Sequence, residues 1–298
     1  MLGDLLYGGI EAGGTKFLCV VGTDPTHIVD QVRIQTSPPG PTLEAAIRFF
    51  QPYCERGKLK AIGVGCFGPL DLNRDSPTYG FITSTPKPGW QDTDLLGRLR
   101  SALGVNILLH TDVNAAALGE HTWGATQGLA ASLYLTIGTG IGGAFLQHGK
   151  PLEGMEHSEM GHIGIPHNLD RDPFAGSCPY HGDCFEGLAS GPAIEKRLGQ
   201  RGEGLSDEHP FWELEAGYIA SALSALILVL SPMRIVLGGG IMRREMLFPR
   251  IRQKVLQILG GYVRSAALRD HTEAYIVPPG LAQYSGAYGA LALAKGSA

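Results

Sequence analysis

The amino-acid sequence predicts an α/β protein with two related domains. The chain has 298 residues, which is enough for two domains of ordinary size, although length alone also permits one large domain. Stretches with the periodicity of strands and of helices alternate along it, as in layered α/β folds. Residues 9–17 and 135–143 share one plan: an apolar strand, a turn of Gly and Thr, and a second strand. One such hairpin in each half indicates duplicated domains that face a cleft.

The individual elements follow from local patterns. Short apolar runs predict strands at residues 7–10, 17–21, 61–65, 105–110, 132–137, 143–147 and 234–237. Longer stretches predict helices at residues 42–56, 94–103, 113–122, 211–230 and 281–294. In the first helix, apolar residues such as Leu43, Ile47 and Phe50 recur at helical spacing. A further helix is predicted to start near Pro192, because proline is favoured in a first turn.

Composition and charge narrow the functional class. Apolar residues make up 44% of the chain and charged residues 17%, so a sizeable core is expected. The net charge is −4 and no basic patch is visible, which argues against a nucleic-acid partner. The five cysteines are an odd number in a large chain, which favours reduced thiols and a cytoplasmic location.

Neither a signal peptide nor a membrane partner is expected. Residues 1–4 lack a basic region and lead directly into a strand-like stretch. The longest apolar run, residues 219–230, is too short to cross a bilayer and is interpreted as part of a buried helix.

Two well-known nucleotide motifs do not account for the abundant glycines. Residues 63–68 match G-x-G-x-x-G after a strand. However, Pro69 and the loop after it stand where dinucleotide binding requires a helix. The P-loop pattern and the catalytic-loop and metal-loop signatures of protein kinases are absent from the sequence.

Asp112 stands at a predicted strand-to-helix corner and has two interpretations. Asp is a favoured N-cap residue, which is a purely structural role. Alternatively, its carboxylate is a general base, since phosphoryl transfer to an alcohol needs a group that accepts the hydroxyl proton. The sequence around Asp112 leaves both interpretations open.

Cysteine and histidine residues form a candidate zinc site. Cys178, His181 and Cys184 follow a C-x-x-H-x-x-C pattern. His162 supplies a fourth ligand, with His157 as a competing candidate. Two thiolates and two imidazoles suit tetrahedral Zn²⁺. With all four positions filled by protein, the site is expected to be structural and not a source of hydroxide.

Two acidic residues flank this loop, and a glycine run follows a later strand. Glu159 and Glu186 are either solvated surface acids or ligands for neighbouring sugar hydroxyls, to which carboxylates bind through paired hydrogen bonds. Residues 238–240 are three glycines at a strand end. They allow close contact with a flat ligand such as adenine, or serve only to form a turn.

Together these motifs resemble the ROK family of sugar kinases and repressors, over nearly the whole chain. Residues 85–90, Thr-Pro-Lys-Pro-Gly-Trp, are similar to the fructokinase branch and not to the glucokinases. The resemblance implies an actin-like ATPase fold, a ribonuclease H-like duplication in which ATP and sugar meet in a cleft. It implies a small N-terminal α/β domain, residues 1–114 plus 281–298, and a larger α/β domain with the zinc loop, residues 115–280.

The resemblance also implies ATP, Mg²⁺ and Zn²⁺ as cofactors and assigns roles to residues. Asp112 matches the catalytic base, and Glu11 is a candidate Mg²⁺ ligand. The implied sugar-binding residues are Gly68, Pro69, Asp112, Glu159, His162 and Glu186. The implied ATP-binding residues are Gly13, Gly14, Thr15, Lys16, Thr139, Gly140, Gly238, Gly239 and Gly240. The implied zinc ligands are His162, Cys178, His181 and Cys184. The dual role of His162 is reasonable, because a metal holds an imidazole in one orientation.

Three positions depart from the family pattern. Glu11 replaces the usual Asp, so the Mg²⁺ geometry there is open. Thr111 precedes Asp112 where Asn is common, which removes or replaces one sugar contact. The C-x-x-H-x-x-C run is one residue shorter than the family's C-x-C-G-x-x-G-C, with His for one Cys, and still offers a Cys2His2 set.

The function implied is that of an ATP-dependent hexose kinase. More specifically, the resemblance implies a homodimeric fructokinase that converts fructose and ATP to fructose 6-phosphate and ADP. The alternatives are a glucokinase or mannokinase of broader hexose specificity, and a regulator that binds sugar without turnover. A DNA-binding repressor is disfavoured, because the first hairpin begins at Gly9 and leaves no room before it for a helix-turn-helix segment.

Overall fold

The computed structural model describes residues 5–296. The prediction about a signal peptide concerns residues 1–4, which lie outside the described residues. The chain forms two compact units. Unit 1 comprises the described part of Met1–Gln127, Lys150–His157 and Gly280–Ala298, and unit 2 comprises Gly128–Gly149 and Ser158–Pro279.

Strands and helices alternate through both units. The strands are β1 (Leu6–Ala12), β2 (Lys16–Gly22), β3 (Ile28–Gln35), β4 (Leu59–Cys66), β5 (Phe81–Ile82), β6 (Thr93–Asp94), β7 (Asn106–Thr111), β8 (Ala131–Ile137), β9 (Ile141–Gln147), β10 (Lys150–Pro151), β11 (Arg234–Gly238) and β12 (Ile276–Val277). The helices are α1 (Pro39–Glu55), α2 (Leu95–Leu103), α3 (Asp112–Trp123), α4 (Phe185–Ala189), α5 (Gly191–Leu198), α6 (Phe211–Leu230), α7 (Leu247–Leu259), α8 (Ala266–Arg269), α9 (Thr272–Tyr275) and α10 (Ser285–Lys295). Single 3₁₀ turns cover Met160–His162, Gly202–Gly204, Ile241–Arg243 and Ala282–Tyr284.

The sheet of unit 1 has the order β3-β2-β1-β4-β7. β1 and β2 form an antiparallel hairpin, β3 extends it, and β4 and β7 run parallel to β1. One face packs against α1 and α2, and β1 and β4 pack against α10 on the other face. The carboxyl ends of β1, β4 and β7 therefore lie at one edge of the sheet, where ligands of such sheets bind.

Unit 2 repeats this arrangement. β9, β8, β11 and β12 lie side by side in that order. β8 and β9 are antiparallel, whereas β11 runs parallel to both β8 and β12. These four strands correspond in order and direction to β2, β1, β4 and β7. The predicted duplication and the α/β fold class are confirmed.

Helix α6 is the most apolar helix of unit 2. Among the described residues it alone is long and apolar enough to cross a membrane, but 56% of its apolar window is buried inside the protein. Its buried side chains, such as Leu223, join the core with residues of β8, β11 and α7. The burial agrees with the predicted core helix.

Every predicted strand and helix is present, and most bounds shift by three residues or fewer. The exception is the last helix, because residues 282–284 form a 3₁₀ turn before α10. Our prediction omitted the short elements β5, β6, β10, β12, α8 and α9. It also omitted β3 and α7, although both have a clear local pattern. Leu247, Ile251, Val255 and Leu259 of α7 are buried at four-residue intervals, the spacing of one helix face.

The structure divides the chain differently from our predicted boundary at residues 114 and 115. That boundary would fall inside α3, all of which lies in unit 1. α3 packs against α10 and β4. At the contact with β4, a Cβ atom on Gly65 would come within 2.5 Å of the Ala115 side chain, so only glycine permits this approach. This packing keeps the whole of α3 with the first sheet.

Candidate active site

The hairpin of unit 1 presents its turn at the end of β1. The Gly13 N–H donates to the Lys16 carbonyl at 2.9 Å. Thr36, which follows β3, donates two hydrogen bonds to the turn. Its hydroxyl donates to the Gly13 carbonyl at 2.8 Å and its N–H donates to the Thr15 carbonyl at 3.0 Å. The space around the Cβ position of Gly14 is open, so an anion can approach the backbone there.

Glu11 is a partly buried acid at the base of this hairpin. Burial is the main reason that its pKa is raised to about 7, and the Asp112 carboxylate raises it further, whereas Lys16 opposes the shift. The backbone amide of Ala287, near the start of α10, also favours the charged form. Glu11 Oε2 is buried without a hydrogen-bond partner. An unpartnered carboxylate oxygen fits a hard cation such as the Mg²⁺ that accompanies ATP.

Strand register brings Glu11 and Asp112 to the same edge of the sheet. Glu11 pairs with Gly65, and Gly65 pairs with His110, so Glu11 and His110 lie in one row across three strands. Asp112 lies two residues beyond that row, directly after Thr111 at the end of β7. The two carboxylates are close enough that Asp112 raises the pKa of Glu11.

Asp112 is the first residue of α3 and not its N-cap. Thr111 is the N-cap, and its hydroxyl accepts the Asn114 N–H at 3.2 Å. Asp112 Oδ1 accepts the adjacent Val113 N–H at 2.8 Å. Burial raises the pKa of Asp112, and the backbone hydrogen bonds only partly offset this. The N-cap interpretation is therefore wrong, and a half-buried carboxylate with raised proton affinity stands at the strand-to-helix corner.

The loop after β4 is held by two contacts from within unit 1. The Pro69 carbonyl accepts the Thr83 N–H at 2.8 Å. His157 Nε2 accepts the Leu70 N–H at 3.1 Å, and its ring would lie 3.5 Å from a Cβ atom on Gly68. His157 is thus engaged with the Gly68–Pro69 loop, which explains why it is not part of the Cys/His cluster.

The four predicted zinc ligands converge in unit 2. The ligand atoms of His162, Cys178, His181 and Cys184 all lie within 4.8 Å of one another. Cys178 Sγ is 3.7 Å from His162 Nδ1 and 3.6 Å from His181 Nδ1, and Cys184 Sγ is 3.6 Å from His162 Nδ1. Tetrahedral Zn²⁺ with ordinary bond lengths requires sulfur–nitrogen separations of about 3.5 Å. The donor set and its spacing therefore fit zinc.

A polar network, buried except for Asp183, adjoins this loop and was not predicted from the sequence. Asp183, between two cluster residues, contacts His167 Nδ1 at 3.0 Å, and His167 Nε2 contacts the Asp172 carbonyl at 3.0 Å. The Asp172 carboxylate accepts from Arg197 at 3.0 Å and from the Tyr218 hydroxyl at 2.6 Å. Arg197 and Tyr218 are 25 and 46 positions from Asp172 in the sequence. The other members lie in loops without a periodic pattern, so no local sequence signal indicated the network.

Glu186 joins the Cys/His cluster to the hairpin of unit 2. Its Oε1 is 4.0 Å from His162 Nε2. Its Oε2 accepts the Ile141 N–H at 2.8 Å, at the start of β9. The exposed fraction is 26% for the His162 side chain and 25% for the Glu186 side chain. Both are therefore partly buried but still accessible to a ligand.

Glu159 is placed less closely. It is exposed and precedes the 3₁₀ turn Met160–His162. Its carbonyl accepts the His162 N–H at 3.0 Å, so the two residues share one turn. Glu159 is therefore close to the cluster residue His162 along the chain, and its side chain is exposed to solvent.

Within unit 2, the two glycine-rich segments predicted to contact ATP lie next to each other. A Cβ atom on Gly138 would lie 3.5 Å from the Gly240 nitrogen, so the hairpin turn with Thr139 and Gly140 adjoins residues 238–240. The Gly138 carbonyl accepts the Gly191 N–H at 2.7 Å, which ties the turn to the start of α5. Thr139 is exposed at the tip.

Two α/β units with the same strand order, each with a glycine-rich hairpin at the start of its sheet, define the actin-like ATPase class of fold. The model of the ROK family matches residues 7–297, and this chain belongs to the ROK family.

Relatives and solved structures agree with this assignment. The chain is 42% identical to the fructokinase of Pediococcus pentosaceus, over 98% of this chain and 98% of that protein. It is 42% identical to the fructokinase of Zymomonas mobilis, over 97% and 96%. The fold is similar to the crystal structure of the ROK hexokinase from Thermus thermophilus, with a TM-score of 0.78, 28% identity and coverage of 98% and 99%.

Proposed function

We propose that this protein is an ATP-dependent fructokinase that transfers the terminal phosphoryl group of ATP to the 6-hydroxyl of fructose. Its identity to fructokinases, 42%, exceeds its 28% identity to the ROK hexokinase. The observation that carries the proposal is the state of Asp112. Its helix is capped by Thr111, and burial raises its pKa, so this carboxylate is available as a proton acceptor.

In the proposed reaction, Asp112 accepts the proton of the 6-hydroxyl while that oxygen forms a bond to the γ-phosphorus. The bond from the γ-phosphorus to the oxygen of the β-phosphate breaks, and ADP leaves. A raised pKa makes a carboxylate a stronger base toward the hydroxyl proton. Positioning and charge compensation supply the rest of the acceleration in phosphoryl transfer.

We assign the phosphates of ATP to the hairpin turns. The residues are Gly13, Gly14, Thr15 and Lys16 in unit 1, and Thr139 and Gly140 in unit 2. Backbone N–H groups in such turns stabilise phosphate charge. Mg²⁺ enters with ATP, and Glu11 is the candidate protein ligand because its Oε2 is buried without a partner. Gly238, Gly239 and Gly240 border the adenosine.

We assign the sugar to Gly68 and Pro69 in unit 1 and to Glu159, His162 and Glu186 in unit 2, with Asp112 at the reacting hydroxyl. The geometry of His162 supports a dual role. Its Nδ1 faces the two thiols, which leaves Nε2 directed toward Glu186 and free of the metal. Zinc held by His162, Cys178, His181 and Cys184 would be structural, since the protein supplies all four ligands.

We further propose a cytoplasmic homodimer. All five cysteines are free, as is usual in a reducing compartment. Leu228 and Val229 at the end of α6 are 55% and 79% exposed, and neighbouring exposed apolar side chains are typical of subunit contacts. Sedimentation equilibrium tests the dimer, and a monomer at micromolar concentration would refute it.

The decisive test is ADP release with ATP and a panel of fructose, glucose and mannose. The expected result is a kcat/KM for fructose that exceeds the others by at least roughly tenfold. Similar values for all three would indicate a broader hexose kinase. Sugar binding by calorimetry without ADP release would indicate a non-catalytic regulator.

A further inference from the structure

Residues 85–90 form a tight turn in unit 1 whose function the mechanism above does not explain. The Trp90 N–H donates to the Lys87 carbonyl at 3.1 Å, which closes a four-residue turn. Pro88 and Gly89 are its central residues, and Gly89 has φ +77°. Proline followed by a residue with positive φ is the pattern of a type II turn, and glycine adopts that φ without strain. The motif thus specifies a particular backbone shape.

Trp90 fixes this turn against the nucleotide hairpin of unit 1. Its side chain is fully buried, and its Nε1–H donates to the Ser37 carbonyl at 2.9 Å. The indole packs against Phe17, with ring centroids 5.6 Å apart, and against Phe67 at 5.4 Å. Phe17 directly follows Lys16 on β2. Because large buried aromatic side chains contribute strongly to packing energy, Trp90 anchors the turn beside the strand that leaves the hairpin.

The consequence is that Lys87 reaches the tip of the hairpin. Its ammonium group donates a hydrogen bond to the Gly14 carbonyl, although the two residues are 73 positions apart. The Lys87 side chain is half-buried. Within residues 5–296 no acidic side chain is paired with it. An ammonium group has three donors, so two remain for a further acceptor.

We propose that Lys87 binds the terminal phosphoryl group of the nucleotide, as a second cation beside Lys16. This inference rests on the proposed function. An unpaired ammonium at a phosphate-binding turn is attracted to an anion, and charge-assisted hydrogen bonds to phosphate are strong. The terminal group is favoured because Glu11, at the base of the same hairpin, lies in one row of the sheet with Gly65 and with His110, which is two residues before Asp112. The hairpin therefore lies beside the proton acceptor, where the transferred group must sit.

The test is calorimetric titration of Lys87→Met with ADP and with a non-hydrolysable ATP analogue, both with Mg²⁺. Loss of a charged hydrogen bond to the terminal phosphate should weaken the analogue roughly ten- to a hundredfold. Binding of ADP should weaken by less than about threefold, and the fructose KM should stay unchanged. Lys87→Arg should retain most of the analogue affinity. Lys60→Met is the matched control, because Lys60 is exposed on β4 in the same unit.

Two results would overturn the proposal. Equal weakening of both nucleotides together with a lower melting temperature would show that Lys87 only holds the Gly14 carbonyl in place. Unchanged affinity for both would place Lys87 outside the nucleotide site. These outcomes do not depend on turnover. A wild-type protein that binds ATP but does not phosphorylate fructose would refute the proposed function and leave this titration interpretable.

Discussion

Glu186 and Ile141 are joined by a hydrogen bond of 2.8 Å from the Ile141 N–H to Glu186 Oε2. This bond connects α4 to the first residue of β9, directly after the turn with Thr139 and Gly140. The other carboxylate oxygen faces His162. One side chain therefore supports the candidate nucleotide hairpin with one oxygen and faces the candidate sugar residue with the other.

The first prediction separates these two functions of Glu186. Glu186→Gln keeps an oxygen that can accept the Ile141 N–H, so it should raise the fructose KM with little change in the ATP KM. Glu186→Ala leaves that N–H without its acceptor, at a cost of about 1–3 kcal/mol, and should raise both. Steady-state kinetics with each substrate varied distinguishes the variants. Identical effects of Gln and Ala on the ATP KM would show that the hydrogen bond does not hold the hairpin.

Glu159→Gln is the companion variant for the sugar. It should raise the fructose KM or lower kcat and leave the ATP KM unchanged, since the backbone bond to His162 is kept and only the carboxylate assigned to the sugar is altered. Loss of a charged acceptor for a sugar hydroxyl costs on the order of 1.5–3 kcal/mol. Unchanged fructose kinetics in both Glu159→Gln and Glu186→Gln would show that neither carboxylate binds the sugar.

The second prediction concerns Asp112. Asp112→Asn should lower kcat by roughly 10²–10⁴-fold, because an amide cannot accept the hydroxyl proton. ATP affinity should be unchanged and the melting temperature nearly so, because Thr111 provides the cap. Thr111→Val is the matched control, and it should lower stability by about 1 kcal/mol through the lost bond to the Asn114 N–H. Near-normal kcat in Asp112→Asn would exclude it as the base.

The third prediction concerns the metal. The purified protein should contain about one zinc per chain, measured by elemental analysis. Cys178→Ser should lose the zinc, lower the melting temperature and raise the fructose KM. Without the metal, residues 178–184 are no longer held together and the His162 ring is no longer held in one orientation. Cys54→Ser is the control, since Cys54 lies outside the cluster.

Chelation should reproduce the effects of Cys178→Ser, with a smaller change in the ATP KM than in the fructose KM. A fully active protein without zinc would contradict the assignment of zinc to the Cys/His cluster. Zinc retained in a Cys178→Ser, His181→Ala double variant would show that the metal binds elsewhere.

The fourth prediction is a pH dependence of stability that originates at Glu11. Its pKa is raised from 4.5 to about 7 in the folded protein, so folding favours the protonated form. This contribution is fully present below about pH 4.5 and is lost as pH rises through 7, by at most about 3 kcal/mol. Glu11→Gln cannot ionise, so its stability relative to wild type should increase between pH 5 and pH 8.

Urea unfolding of both proteins at several pH values measures the effect of Glu11. The difference between variant and wild type is the relevant quantity, because Asp112 and Glu215 also have raised pKa values through burial. A constant difference across this pH range would show that Glu11 does not titrate as proposed.

Much of the molecule was accessible from local patterns. Strand and helix periodicity predicted the duplicated α/β order, because alternation of apolar residues reflects which side chains a strand or helix can bury. The C-x-x-H-x-x-C spacing predicted a cluster, since ligands three residues apart in a short loop cannot lie far from one another. The same approach could have found α7, whose buried residues follow one helix face.

The remaining features depend on residues that are distant in the chain. The choice of His162 over His157 follows from where each backbone segment runs, and the hydrogen bond to Leu70 engages His157 elsewhere. Whether Thr111 or Asp112 caps α3 depends on a shift of one residue in the helix start, to which periodicity is insensitive. The contact of Lys87 with Gly14 joins residues 73 positions apart, in a turn that the fully buried Trp90 anchors. By itself the sequence determined which elements form and which ligand types occur, because these depend on neighbouring residues; only tertiary packing decided which side chains meet.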